Sequence, residues 1–423
     1  MANLSTGPIE NRPVGGVRPT QQVTVKIDNN DSVNFSTVLI QGYHLNGTRT
    51  LFVLELFTVA PNQVVTKDYN ANFDGFEFIF TTSDPIGEST EISVWGKSPS
   101  GQLVAAHRLV ADELLGSTEA TNDTMNLIYV ANFNSNDVSV IDGSTNTVIS
   151  TIPVGVNPSG VGVNPLTERI YVTNQGDDTV SVIDGETNTV VAAVLVGLEP
   201  SDAGVNIDTN TIYTANFNSL DTTEDVSVIS GLTNTVFDTV TIPGINLSTG
   251  ISANSLTNRI YVANFNFDHV SVIDGSSNTI IDTIPVQVNP FRVGVNPNTN
   301  RIYVSNFTSN TVSVIDGSTN TVITNVPVGT TPGEVGVNTT TNAIYVPNRG
   351  TNNVSVIDGS TNTVVATIPV GTNPNGVGVN ALTNRIYVTN QDDDTVSVID
   401  GVTNTVIATI TVGDRPFSIG VNP

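Results

Sequence analysis

The side chains with reactive chemistry are few and scattered in this chain of 423 residues. Histidine occurs three times, as His44, His107 and His269 in three different segments, and cysteine is absent. That inventory leaves no disulfide, no thiolate metal site and no cysteine nucleophile. It also supplies too few imidazoles for a histidine-rich metal centre or a haem pair. A Ser-His-Asp set would have to form around His269 in "NFNFDHVS", yet serine and aspartate are so abundant that nearness in sequence points to nothing, and an exposed loop histidine is the plainer reading. The acidic loops "QGDDT" (175–179) and "QDDDT" (391–395) offer carboxylates without the further oxygens a calcium shell needs. "DYNANFDG" (68–75) lacks the glycine and the glutamate of a calcium loop. The expectation is a protein without catalytic residues, metal or cofactor.

A second group of side chains is defined by spacing. Phe133, Gln175, Phe217, Phe265, Phe307, Arg349 and Gln391 each follow an asparagine, at steps of 42 broken once by a step of 48. Aromatic rings interspersed with polar and cationic groups are what a protein or glycan contact uses. The plainer alternative is that the phenylalanines pack between neighbouring units, as apolar residues in short loops usually do.

Positioning such a set requires a repeated element, and the chain contains one. The triplet I-Y-[VT] recurs with its tyrosine at 129, 171, 213, 261, 303, 345 and 387. The one long step is accounted for by six extra residues in "FNSLDTTEDVS". Each unit holds four short stretches rich in valine and isoleucine, such as "SGVGVN", "RIYVTN", "TVSVID" and "NTVVAAV", separated by Asn, Gly, Asp, Pro and Thr. Four strands in about forty residues is the period of a propeller blade. The array begins at the second strand of a unit, "NLIYVAN", and its final stretch, "PFSIGVNP", is a first strand, so closure of the ring by the C-terminal strand leaves no unpaired edge. Gly160 and Gly162 alternate with Val161 and Val163, which leaves one side of the first strand bare for the crowded axis.

These letters resemble the YVTN-family β-propeller repeat of surface-layer-like proteins. The resemblance covers residues 126–423 and is literal at 171–174 and 387–390. It implies a seven-bladed ring, often on a cell surface, with no fixed activity. In such a ring the loops from second to third strand and from fourth strand to the next first strand open on one face. That face would carry the seven residues above and His269 as its candidate binding rim, joined by Phe291, Arg292, Glu334, Arg415 and Phe417 from the second kind of loop. The turn "DGSTNT", by contrast, is nearly constant, as turn chemistry alone demands.

The first 125 residues do not repeat. Residues 1–20 read as an extended arm, 21–117 as a small jelly-roll-like β-sandwich of seven or eight strands, and 118–125 as a linker. This half loosely resembles the jelly-roll subunits of bacterial spore and surface appendages. A formal charge of −25 repels phosphate backbones and excludes nucleic acid as a good partner. The most apolar run, "LFVLELFTVA" (51–60), is half the length of a membrane span and carries Glu55, and no Sec signal is visible. Together these readings describe an all-β, noncatalytic surface or appendage protein at an extracellular, cell-surface or spore-surface site. Residues 1–117 would serve assembly, into filaments among other forms, while the propeller presents a recognition face to protein or glycan. The alternatives are a lyase or hydrolase acting at that face, and a purely structural ring.

Overall fold

The structure is a computed structural model. It describes residues 2–5, 9–10, 20, 22–29, 36–45, 49–70, 75–82, 90–97, 103–107, 126–217, 223–243 and 248–423. Contacts divide the chain into two units, Met1–Asp123 and Thr124–Pro423. All regular structure among the described residues is β.

The first unit contains β1 (Ala2–Ser5), β2 (Ile9–Glu10), β3 (Gln22–Asn29), β4 (Ser36–Leu45), β5 (Arg49–Val59), β6 (Gln63–Asn70), β7 (Gly75–Thr82), β8 (Thr90–Lys97) and β9 (Leu103–His107). One sheet runs β1-β7-β4-β5, with β2 also on β7, and the other runs β6-β3-β8-β9. Alternating residues of both sheets, including Val23, Val25, Val38, Ile40, Phe78 and Val94, meet in a single core, which makes this a sandwich. The described parts of the N-terminal arm, β1 and β2, pair with β7 of this same unit. The stretch assigned to the linker lies outside the described residues. Among the described residues strand β5 is an edge, and it exposes Leu51, Leu54 and Leu56.

In the second unit the fourfold strand grouping holds throughout. Seven four-stranded antiparallel sheets follow one another. The strand Pro416–Asn422 pairs with Leu127–Asn132 from Leu127↔Asn422 to Tyr129↔Gly420 and beyond, completing the sheet whose other strands open the repeat array. With Asp137–Asp142 and Thr147–Pro153 as the other strands of its sheet, it also lies beside the innermost strands of both neighbouring sheets, Pro374–Asn380 and Pro158–Asn164, so the sheets form a closed propeller.

The repeated letters are explained by what they touch. Each repeat tyrosine is buried, and the hydrophobic clusters span adjacent sheets: Tyr213 and Val228 pack with Ile260, Val262 and Ile273 of the next blade. The asparagine of "YVTN" is buried in every blade and donates from Nδ2 to the serine of "VSV" on the third strand, at 2.9–3.1 Å, as in Asn174 to Ser181 and Asn390 to Ser397. In the "DGSTNT" turn the aspartate accepts from the backbone two residues on, as Ser144 N to Asp142 Oδ1 at 2.8 Å, and the following asparagine adopts a left-handed conformation, as Asn146 does with φ 56°. A further latch joins the blades. In six of the seven blades the asparagine ending the first strand donates to the asparagine just before the next blade's second strand, as Asn164 to Asn210 and Asn254 to Asn300, at 2.7–2.9 Å. At the joint served by Asn422 the accepting position is occupied by Glu168, which holds the left-handed backbone conformation at φ 51°.

Candidate functional site

The two kinds of variable loop do meet on one face. In six of the seven blades the residue after the buried asparagine donates its backbone N–H to the residue before the first-strand proline of the same sheet, as Phe307 N to Asn289 O at 2.8 Å, Arg349 N to Thr331 O at 3.1 Å and Phe133 N to Arg415 O at 3.0 Å. The loops are tied further by side chains: Asp178 accepts from Glu199 N at 2.8 Å, Asp268 from Asn289 N at 2.9 Å and Asp394 from Arg415 N at 2.9 Å. Asp177 and Asp393 likewise accept from Val156 N and Thr372 N. The acidic loops therefore spend oxygens on the backbone of the adjoining loops, and among the described residues no group of three or more His, Asp or Glu is placed to hold a metal ion.

On this mouth the candidate residues fall into two aromatic groups. Phe265, Phe291 and Phe307 pack together with centroids 5.5–6.2 Å apart. Phe133 and Phe417 form the second group at 5.7 Å. Three guanidinium groups lie over these rings: Arg292 at 4.7 Å from the Phe291 centroid, Arg415 at 5.1 Å from Phe133 and Arg349 at 5.8 Å from Phe307. Arg349 also donates to Asn373 Oδ1 at 3.0 Å and to Gln391 Oε1 at 3.2 Å, and Gln391 is buried. Burial, with Arg415 and Arg292 nearby, lowers the pKa of Arg349. Gln175 and Phe217 are half-buried members of the same column. His269 is not part of the convergence. It opens the third strand His269–Asp274, places Nδ1 3.0 Å from Phe267 O and stands edge-on to Phe267.

The seven arginines of the propeller are not equivalent. On the opposite face Arg169, Arg301 and Arg385 pair with Asp184, Asp316 and Asp400, and Arg259 bonds Gly317 O and Asn320. The Arg385 bond holds the Asp400 carboxyl down at about 2. Arg292, Arg349 and Arg415 have no carboxylate ion pair among the described residues; they meet rings and neutral acceptors instead.

Just inside the mouth lies a feature that the alternation of glycine and valine had concealed. The column that contains Gly160, Gly250 and Gly376 contains Asp202, Arg292, Glu334 and Ser418 in the other blades, and these line an axial cavity of about 170 Å³ with an aliphatic collar including Val161, Ile251 and Val377. The glycines give the room. A Cβ on Gly250 would stand 2.7 Å from Arg292 Cα, and one on Gly160 2.6 Å from Asp202 Cα. Asp202 accepts from Ala203 N at 2.9 Å and Ile251 N at 3.1 Å, and Glu334 Oε2 accepts from Val377 N at 3.0 Å. Burial pushes the Glu334 carboxyl up to about 7 and raises that of Asp202, with Arg292 offsetting part of each effect. The sequence singled out Arg292 and Glu334 only as loop residues and missed Asp202. Aligning the seven first strands column by column was the signal available for all three.

Neither the protein-family comparison nor the comparison with curated proteins gives a match. Among solved structures the chain is similar to a functionally unknown protein from Desulfotomaculum acetoxidans, with 16% identity, a TM-score of 0.63 and coverage of 70% of this chain and 98% of that one. Hydrazine synthase from Kuenenia stuttgartiensis follows with 18% identity, a TM-score of 0.57 and coverage of 67% and 98%. The dihydro-heme d1 dehydrogenase NirN, in complex with DHE, has 16% identity, a TM-score of 0.54 and coverage of 70% and 66%. At these identities the likeness concerns the fold, and that fold is a β-propeller built from repeated four-stranded sheets.

Proposed function

We propose that this chain is a noncatalytic binding protein whose propeller mouth recognises a protein or glycan, with the N-terminal sandwich serving assembly or anchoring at a surface. One observation carries the reading: the three arginines without a carboxylate ion pair among the described residues all lie at or just inside the mouth, each over a phenylalanine ring, while the remaining four face the other way and are engaged. Arginine and aromatic side chains gathered at one place are the usual anchors of recognition. The exposed leucines of edge strand β5 support self-assembly, since an apolar free edge is a template for another strand. No helix among the described residues is long and apolar enough to cross a membrane.

The test is binding of the full chain to a glycan array and to surface extracts, beside a variant carrying Phe265→Ala, Phe307→Ala and Arg349→Ala. Loss of capture with an unchanged melting curve supports the mouth; equal capture by both removes it. Sedimentation of a Leu54→Lys, Leu56→Lys variant examines assembly in the same way. A second reading, an enzyme acting at the axis, is favoured by one observation, the buried Glu334 carboxyl beside Asp202 and Arg292. His269 does not line that cavity.

A further inference from the structure

We infer that the axial cavity is a binding site for a small carboxylate anion, held by the guanidinium of Arg292 and the carboxyl group of Glu334. The cavity is lined by unmet hydrogen-bonding groups. Arg292 is 3% exposed, and its Nε and Nη1 have no partner; Nη2 reaches across the axis to Ser201 O at a long 3.4 Å. Glu334 Oε1 is likewise buried and unpartnered. Buried donors left unmade cost on the order of 1–3 kcal/mol each, more when charged, so they mark a place where something else bonds.

The remaining groups choose the sign and size of the occupant. Both Asp202 oxygens and Glu334 Oε2 already accept backbone N–H groups, so the cavity does not offer a cation a free set of carboxylate oxygens. It offers a guanidinium, whose planar donors match a carboxylate. One cation beside Asp202 disfavours a dianion such as phosphate. A cavity of about 170 Å³ is below the range of pockets for drug-sized ligands, and suits an acid of two to four carbons. Arg349 and Arg415 at the same end of the axis add attraction for an anion.

The groups facing the site are Arg292, Asp202, Glu334 and the Ser418 hydroxyl, with Asp392 and the two further arginines at the mouth. A Glu334 carboxyl that titrates at about 7 donates to the ligand when protonated and repels it when ionised. Affinity should then fall about tenfold between pH 6 and pH 8 as the protonated fraction drops.

The experiment titrates the full chain with acetate and with propanoate at both pH values, by calorimetry or ligand-observed NMR, with propanamide as the uncharged control. Expected are one saturable site for the acids, no binding of propanamide, weakening of tenfold or more in Arg292→Gln, and binding in Glu334→Gln that no longer falls from pH 6 to pH 8. Absence of saturable acetate and propanoate binding, equal binding of propanamide, or unchanged affinity in a folded Arg292→Gln variant overturns the inference. Should Arg292→Gln fail to fold, the Glu334→Gln comparison decides, because a pH dependence that persists there also overturns it.

Discussion

Replacing Glu168 by asparagine should make the propeller more stable, although it removes a native side chain. Two effects add. Glu168 holds φ at 51°, a conformation that costs an ordinary L-residue roughly 1–2 kcal/mol and that asparagine tolerates better. An asparagine there also restores the interblade bond that Asn380 makes to Asn126 and Asn338 to Asn384, at 2.7–2.8 Å. Asn422 is nearly buried, with its Nδ2 3.4 Å from where a Cβ on Gly185 of the same joint would lie. Such a bond is worth about 1 kcal/mol. Together the gain is at most about 2–3 kcal/mol, or about 3–5 °C in melting temperature for a domain of this size. A pH series separates the substitution from a generic effect. Burial, with Glu186 and Asp184 nearby, raises the Glu168 pKa. The folded chain thus binds this proton more tightly than the unfolded chain, and the native residue is best tolerated below its unfolded pKa and becomes a liability as pH rises through the folded value. The advantage of Glu168→Asn in urea unfolding should therefore be larger at pH 7 than at pH 4. A variant that is no more stable at pH 7, or whose gain is greater at pH 4, refutes the reasoning.

Thr331 adopts φ 52° where Asn157, Asn289 and Asn373 stand in other blades, so Thr331→Asn should raise stability by about 1 kcal/mol in the same assay. Gly250→Ala places a Cβ 2.6 Å from Phe291 O and 2.7 Å from Arg292 Cα, both backbone atoms, and should cost about 1–3 kcal/mol by thermal unfolding. Two buried tyrosines should separate: Tyr129→Phe loses a 2.9 Å bond to Asn188 and costs about 1 kcal/mol, whereas Tyr171→Phe, whose hydroxyl has no partner, should be neutral or stabilising. Glu334 makes stability fall as pH rises from about 4.5 through about 7, and that fall should be smaller in Glu334→Gln when urea midpoints are compared at pH 5 and pH 8.

The propeller was legible in the sequence because every blade solves the same packing problem with the same letters. The tyrosine, the buried asparagine and the aspartate of the turn each satisfy a fixed local demand, so repetition announces them. Ring closure was legible for a related reason, since the first strand missing at "NLIYVAN" is supplied at "PFSIGVNP". The mouth was readable as a set of columns, but pairing within it was not. That Arg349 lies over Phe307 and bonds Gln391 depends on the angle between blades, which no single repeat encodes. The axial cluster was least visible. Asp202, Arg292 and Glu334 are far apart in the chain and each looks like an isolated departure from a glycine pattern; only convergence on one axis makes them neighbours. In the sandwich, alternation located the strands, whereas the pairing of β1 and β2 with β7 had no signature beyond their composition.

The pairing of Pro416–Asn422 with Leu127–Asn132 sets an order of events during synthesis. The opening sheet of the wheel waits, one strand short, while every later sheet is being translated, and its unmatched edge is available to any stray extended segment in the meantime. Pulse-labelled nascent chains should therefore stay protease-sensitive at residues 127–132 after the middle blades have become resistant, until Pro416–Asn422 has emerged.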